Sequence, residues 1–141
     1  KLRTDTPPAP IIVSDIDPMA VDAARRNAVT AGVEQFLEFH TGDFADTPLP
    51  ETPGTIILHG EYGERLGNPE QLKQTYKRMG DFLKQNCAGW DAWVFTSREL
   101  SGAMGLKPVK RVPFENGEFD CRLVQFELYE GTRKNRVPQR P

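Results

Sequence analysis

Three short stretches combine acids, aromatic rings and glycines in an order suited to holding a nucleotide. The first is Ser14-Asp15-Ile16-Asp17-Pro18, which closes the apolar run Pro10-Ile11-Ile12-Val13 with two carboxylates. An acid at the carboxyl end of a strand can accept both hydrogen bonds of a ribose diol. Asp17 directly precedes a proline and reads as a helix N-cap, which makes Asp15 the better ligand candidate. In the second, Gly42-Asp43-Phe44, the carboxylate can accept from an exocyclic amine and the ring can stack on a purine; the same residues also make an ordinary turn. The third is His59-Gly60-Glu61-Tyr62-Gly63-Glu64-Arg65-Leu66-Gly67. Its glycines permit close backbone approach to a ligand and Tyr62 can stack on a base, although a flexible connection with Glu64 and Arg65 on its surface fits as well.

Each stretch follows a segment with strand character. Pro10 to Ile16 is β-branched and leads straight into a helix over Pro18 to Ala31, with Val21, Ala24, Ala28 and Ala31 at helical spacing and Gly32 as its stop. Phe36 to His40 reads as the second strand of a parallel βαβ unit, and a loop rich in proline and threonine runs from Asp46 to Pro53. Thr55 to Leu58 is a buried-type strand. Asn68-Pro69-Glu70-Gln71 starts a second helix, whose apolar stripe is Leu72, Tyr76, Met79 and Leu83. Asp91 to Thr96 predicts a strand and Ser97 to Met104 a short helix. Lys107 to Phe114 then pairs with Phe119 to Tyr129 across the hairpin signal Asn116-Gly117. This order defines an α/β, doubly wound chain.

With 141 residues, 38% hydrophobic and 27% charged, the chain has the size and balance of one globular domain. Its apolar runs span a few residues, far below the roughly 18 to 20 of a membrane span. The start of the sequence has no secretory pattern, so a cytoplasmic location is expected. Cys87 and Cys121 have no cysteine or histidine at metal spacing, which indicates buried reduced thiols and no metal site. A net charge of -2 does not advertise nucleic acid binding through the whole chain, so any RNA contact must be local. Residues 131–141 carry Arg133, Lys134, Arg136 and Arg140 without an acid, and read as a flexible basic tail or an RNA-binding arm.

The order of Ser14-Asp15-Ile16-Asp17-Pro18, Ala24-Arg25-Arg26-Asn27-Ala28, Gly42-Asp43 and Tyr62-Gly63-Glu64-Arg65-Leu66-Gly67 resembles the ribosomal RNA guanine-N2 methyltransferases, a THUMP-containing family also described as N6-adenine-specific methylases. The similarity runs from Ile11 to about Tyr129 and takes in Lys77-Arg78-Met79-Gly80, Trp93-Val94-Phe95-Thr96-Ser97 and the hairpin from Asn116-Gly117 to Phe126. The resemblance implies a Rossmann-like class I methyltransferase fold, with a mostly parallel sheet and a C-terminal antiparallel hairpin, over residues 1–130. It implies S-adenosylmethionine as cofactor, with Asp15 on its ribose, Ile16 against its adenine, Asp43 on the adenine amine and Phe44 beside the ring. Tyr62 would stack on the target base, and the catalytic set would be His59, Gly60, Glu61 and Tyr62. The implied partners are ribosomal RNA and an upstream segment with a THUMP RNA-binding region.

The chain departs from the family pattern twice. The first strand and the glycine-rich motif after it, which cradles the methionine part of the cofactor, would precede Lys1; this segment alone is therefore expected to be a partial, inactive domain whose sheet lacks a central strand. Where the family has Asn-Pro-Pro-Tyr, this chain has His59-Gly60-Glu61-Tyr62. The Gly60 carbonyl can still accept from a target amine, and His59 accepts when neutral, but losing both prolines loosens the loop. A methyl transferase acting on an exocyclic amine of RNA leads this reading. A catalytically impaired RNA-binding or ribosome-assembly module follows, while a nucleotide-dependent oxidoreductase shares the acidic strand end and finds no support in the Tyr62 loop or the hairpin.

Overall fold

The computed structural model describes residues 6–60, 68–117 and 119–130. The basic stretch 131–141 and the segment 61–67, with Glu61 and Tyr62, lie outside them. The chain divides into two units, residues 1–51 and 52–141.

In the first unit, β1 (Ile11–Asp15) leads through Asp17 into α1 (Pro18–Ala31). Asp17 has extended backbone geometry and accepts from the Met19 amide at 2.9 Å, and Pro18 occupies the first helical position, where its missing N–H is harmless. Gly32 ends the helix in the left-handed region, φ 68°, which its missing Cβ permits. Asp17→Ala removes the cap and is expected to destabilise this protein by about 1 kcal/mol, read as a lower urea midpoint at unchanged slope. A 3-10 turn over Glu34–Phe36 delays the next strand by one residue relative to the sequence expectation, so β2 is Leu37–Thr41. It pairs parallel with β1, Ile11 opposite Leu37 and Asp15 opposite Thr41. The Arg25 guanidinium lies 4.4 Å from the Phe39 ring centroid and ties α1 to β2.

The second unit starts with β3 (Thr55–His59), followed by α2 (Pro69–Asn86), whose N-cap Asn68 accepts from the Glu70 amide at 3.0 Å. Next come β4 (Asp91–Ser97) and α3 (Arg98–Ser101), which Gly102–Met104 continues as a 3-10 turn where one continuous helix was expected. The closing hairpin is β5 (Lys110–Asn116) and β6 (Phe119–Glu127). Its turn holds Gly117 at φ 61°, the left-handed geometry that an Asn-Gly hairpin supplies. The strand order is β3-β4-β6-β5; β3 and β4 run parallel, while β6 is antiparallel to both its neighbours.

The core belongs largely to the second unit. On α2 the expected stripe, Leu72, Tyr76, Met79 and Leu83, is buried together with Gly80 and Phe82. On β4 burial alternates, taking in Ala92, Val94 and Thr96, and on β6 Cys121, Val124 and Phe126 are buried. Helix period on one side and strand period on the other thus give two matching apolar surfaces. Among the described residues, Val21 and Ala28 are the only buried apolar side chains of residues 1–51. Both cysteines are buried and unbridged, and burial pushes the Cys87 thiol up to about 11, which keeps it protonated and inert at neutral pH. Among the described residues β1 pairs with β2 alone and β3 with β4 alone, so each presents an open edge. Ile57, on β3, is 72% exposed.

Candidate active site

Two groups of candidate residues occupy the carboxyl ends of parallel strands, one in each unit. In the first unit the ladder extends one step past β2: the Gly42 amide donates to the Asp15 carbonyl at 2.9 Å. That bond brings Asp15 and the start of Gly42-Asp43-Phe44 to the same edge. Asp15 Oδ1 accepts from the Asp17 amide at 2.8 Å, which orients an exposed carboxylate; Oδ2 has no partner among the described residues. Ile16 follows at 69% exposure, an apolar side chain in solvent beside an acid. Asp43 caps a 3-10 turn over Phe44–Asp46 by accepting from the Ala45 amide at 2.9 Å, so the turn reading of this stretch holds. Capping accounts for one of its carboxylate oxygens. A Cβ at residue 42 would come 2.9 Å from the His40 Nε2, so a side chain here would have to displace the His40 ring.

The donor and acceptor chemistry of this edge suits an adenosine. A carboxylate oriented by a backbone amide can accept from a ribose diol, a second carboxylate can accept from an adenine amine, and Ile16 and Phe44 offer apolar flanks. Among the described residues no group of three or more His, Cys, Asp or Glu is placed to hold a metal ion.

In the second unit, His59 ends β3 opposite Phe95 of β4, and the two rings meet edge to face with centroids 5.4 Å apart. Phe95 in turn meets Phe114 of β5 at 5.8 Å. His59 therefore lies on the sheet face of Phe95, while Thr96, one residue later, points to the buried face. Gly60 is half-buried and sits over Tyr76 of α2. The Thr96 hydroxyl donates to the Tyr76 oxygen at 2.6 Å, and neither residue is exposed to solvent. Sequence reasoning assigned Tyr76 to the apolar stripe and Thr96 to a strand, and missed that they meet next to Gly60. A polar tip within a buried stripe was the available signal.

Parallel strands joined by a helix, acids at the strand ends, and a sheet closed by an antiparallel hairpin make up the Rossmann-like α/β architecture of class I methyltransferases. SMU.472, solved in complex with SAH, superposes with a TM-score of 0.76 at 25% identity over 86% of this chain and 32% of that one. A protein from Listeria monocytogenes described as a predicted N6-adenine-specific DNA methylase gives 0.68 at 31% identity, over 82% of this chain and 30% of that one. The chain belongs to the UPF0020 family, the RMKL-like methyltransferase domain, whose model matches residues 1–125. It is 36% identical over 129 residues to the ribosomal RNA large subunit methyltransferase K/L of Shewanella frigidimarina, which covers 91% of this chain and 18% of that protein. The chain thus spans about a fifth of the length of this curated relative. Among the described residues no helix is long and apolar enough to cross a membrane.

Proposed function

We propose that this chain is part of a cytoplasmic S-adenosylmethionine-dependent methyltransferase acting on an exocyclic amine of RNA, guanine N2 of large-subunit ribosomal RNA. The observation that carries the reading is the shared edge of Asp15 and Gly42-Asp43, fixed by the Gly42 to Asp15 backbone bond, in a chain of the RMKL-like family. Asp15 holds the ribose, Ile16 and Phe44 flank the adenine, and Asp43 accepts from its amine. When bound, the cofactor supplies a sulfonium methyl group that the amine nitrogen takes as the carbon–sulfur bond breaks. The Gly60 carbonyl and a ring nitrogen of His59 accept the amine hydrogens, which turns the nitrogen lone pair outward for in-line transfer. Tyr62 stacks on the target base. The methylated amine, positively charged once the new carbon–nitrogen bond forms, then loses one proton to water and leaves neutral.

The proposed domain covers residues 1–130, with 131–141 as a basic C-terminal tail, and works in one protein with an upstream segment and a THUMP RNA-binding region. The relatives that support an RNA substrate include the ribosomal enzyme from Shewanella frigidimarina. Incubating the intact protein with S-adenosylmethionine and unmodified large-subunit RNA, followed by nucleoside mass spectrometry, is expected to yield N2-methylguanosine. N6-methyladenosine instead would keep the enzyme and change the base. A second reading, an RNA-binding module without transfer, is favoured by His59-Gly60-Glu61 in place of Asn-Pro-Pro; RNA retention with no methylated nucleoside would establish it.

A further inference from the structure

We infer that Tyr76, braced by Thr96, is a positioning residue that sets the Gly60 peptide and replaces the restraint that proline gives the Asn-Pro-Pro-Tyr pattern. This rests on the methyl transfer proposed above, in which the Gly60 carbonyl accepts from the target amine. A Cβ added to Gly60 would lie 2.7 Å from Cζ and 3.2 Å from Cε2 of Tyr76, and closer still to its hydroxyl. The phenol therefore fills the space that any side chain at residue 60, proline included, would need. Glycine alone is conformationally free, and a loop with that freedom would hold its carbonyl poorly. Here the ring beneath it removes part of that freedom by contact.

The brace itself is rigid. Tyr76 is rooted in the 18-residue helix α2, and its oxygen takes the Thr96 hydroxyl at 2.6 Å. Thr96 continues the strand beside β3, since His59 pairs with Phe95 and Gly60 comes next. Helix α2 and strand β4 are thereby joined at one point next to Gly60, with Tyr76 and Thr96 fully removed from solvent. A restraint mounted on two regular elements holds geometry better than one mounted on the loop.

The test is steady-state methylation by the intact protein, with kcat and both KM values measured separately. Gly60→Ala is expected to lower kcat about tenfold at unchanged KM for RNA and cofactor, because the shifted carbonyl misorients the amine without affecting either binding surface. Tyr76→Leu, which empties the space, lowers kcat comparably, and the Gly60→Ala/Tyr76→Leu double variant is no slower than Tyr76→Leu. Tyr76→Phe keeps the ring but loses the hydroxyl that Thr96 braces, so it lowers kcat by less than Tyr76→Leu does, while adding Gly60→Ala to it restores the full loss. Wild-type kcat in Gly60→Ala, or losses that multiply in the double variant, would overturn the inference. If Tyr76→Leu does not fold, the Gly60→Ala and Tyr76→Phe pair decides by the same criteria, since neither empties the core. A wild-type protein that transfers no methyl group defeats the proposed function and this role with it; active wild type with unaffected variants defeats this role alone.

Discussion

Asp15→Asn is expected to weaken S-adenosylmethionine binding to the intact protein by about a hundredfold. Asparagine keeps an Oδ1 that can accept from the Asp17 amide, as Asp15 does at 2.8 Å, so the strand-to-helix junction survives. What disappears is the negative charge and one acceptor oxygen toward the ribose diol. Hydrogen bonds to a charged group are worth about 1.5–3 kcal/mol each, and losing the equivalent of about 3 kcal/mol corresponds to two orders of magnitude in Kd. Isothermal titration with cofactor reads the effect directly. The thermal midpoint without cofactor should stay near wild type, because the carboxylate is exposed and contributes little to packing. A Kd within about threefold of wild type would remove Asp15 from the cofactor site.

Gly80→Ala is expected to be the most destabilising single methyl addition in the second unit, by about 3 kcal/mol or more. In an exposed helix the same change would stabilise by up to about 1 kcal/mol, since alanine is the better helix former. Gly80 is buried in α2, however, where the backbone of Met104 comes so close that an added Cβ would overlap the Met104 carbonyl oxygen and lie 2.8 Å from its carbon. Backbone cannot rotate away as a side-chain tip can, so either α2 or the turn over Gly102–Met104 must shift. Equilibrium urea unfolding at constant pH measures the loss. A midpoint equal to or above wild type would mean that the turn moves aside at no cost.

The two variants also separate what could be read in the chain from what could not. Local chemistry was legible. The Asp17 cap, Pro18 at the first turn, Gly32 in the left-handed region and the Asn116-Gly117 hairpin each depend on residues within a few positions, and the helix Pro18–Ala31 was bounded correctly from them. The meeting of Asp15 with Gly42-Asp43 also followed, because a right-handed βαβ crossover places consecutive strand ends on one edge. Element limits slipped where short 3-10 turns intervened, at the start of β2 for Glu34–Phe36 and within the expected helix for Gly102–Met104, since these carry no periodic signal of their own.

Side-chain contacts across elements were not legible. Nothing in the helical spacing of Leu72, Tyr76, Met79 and Leu83 tells that one of these side chains bonds to Thr96 twenty residues later and fills the space under Gly60. Likewise Gly80 stood within the resemblance as part of Lys77-Arg78-Met79-Gly80, yet its reason is the close passage of the Met104 backbone. Side-chain periodicity identifies which face is buried and leaves the partner on that face undetermined. The change from Asn-Pro-Pro to His59-Gly60-Glu61 was visible as a loss of restraint, whereas the buried phenol opposite it became visible only with the fold.

The uneven core has a consequence for ligand affinity. Among the described residues Val21 and Ala28 are the buried apolar ones on the part of the chain that carries Asp15 and Asp43, against the long stripe of α2 and the inner faces of β4 and β6 elsewhere. Segments with few buried contacts open at a lower free energy than the whole molecule. A ligand that engages only the closed form experiences an affinity diminished by the open fraction, and its binding draws that fraction down. With the cofactor bound at Asp15 as proposed, occupancy and local order there would form a single coupled equilibrium, in which the nucleotide acts partly as a missing piece of core.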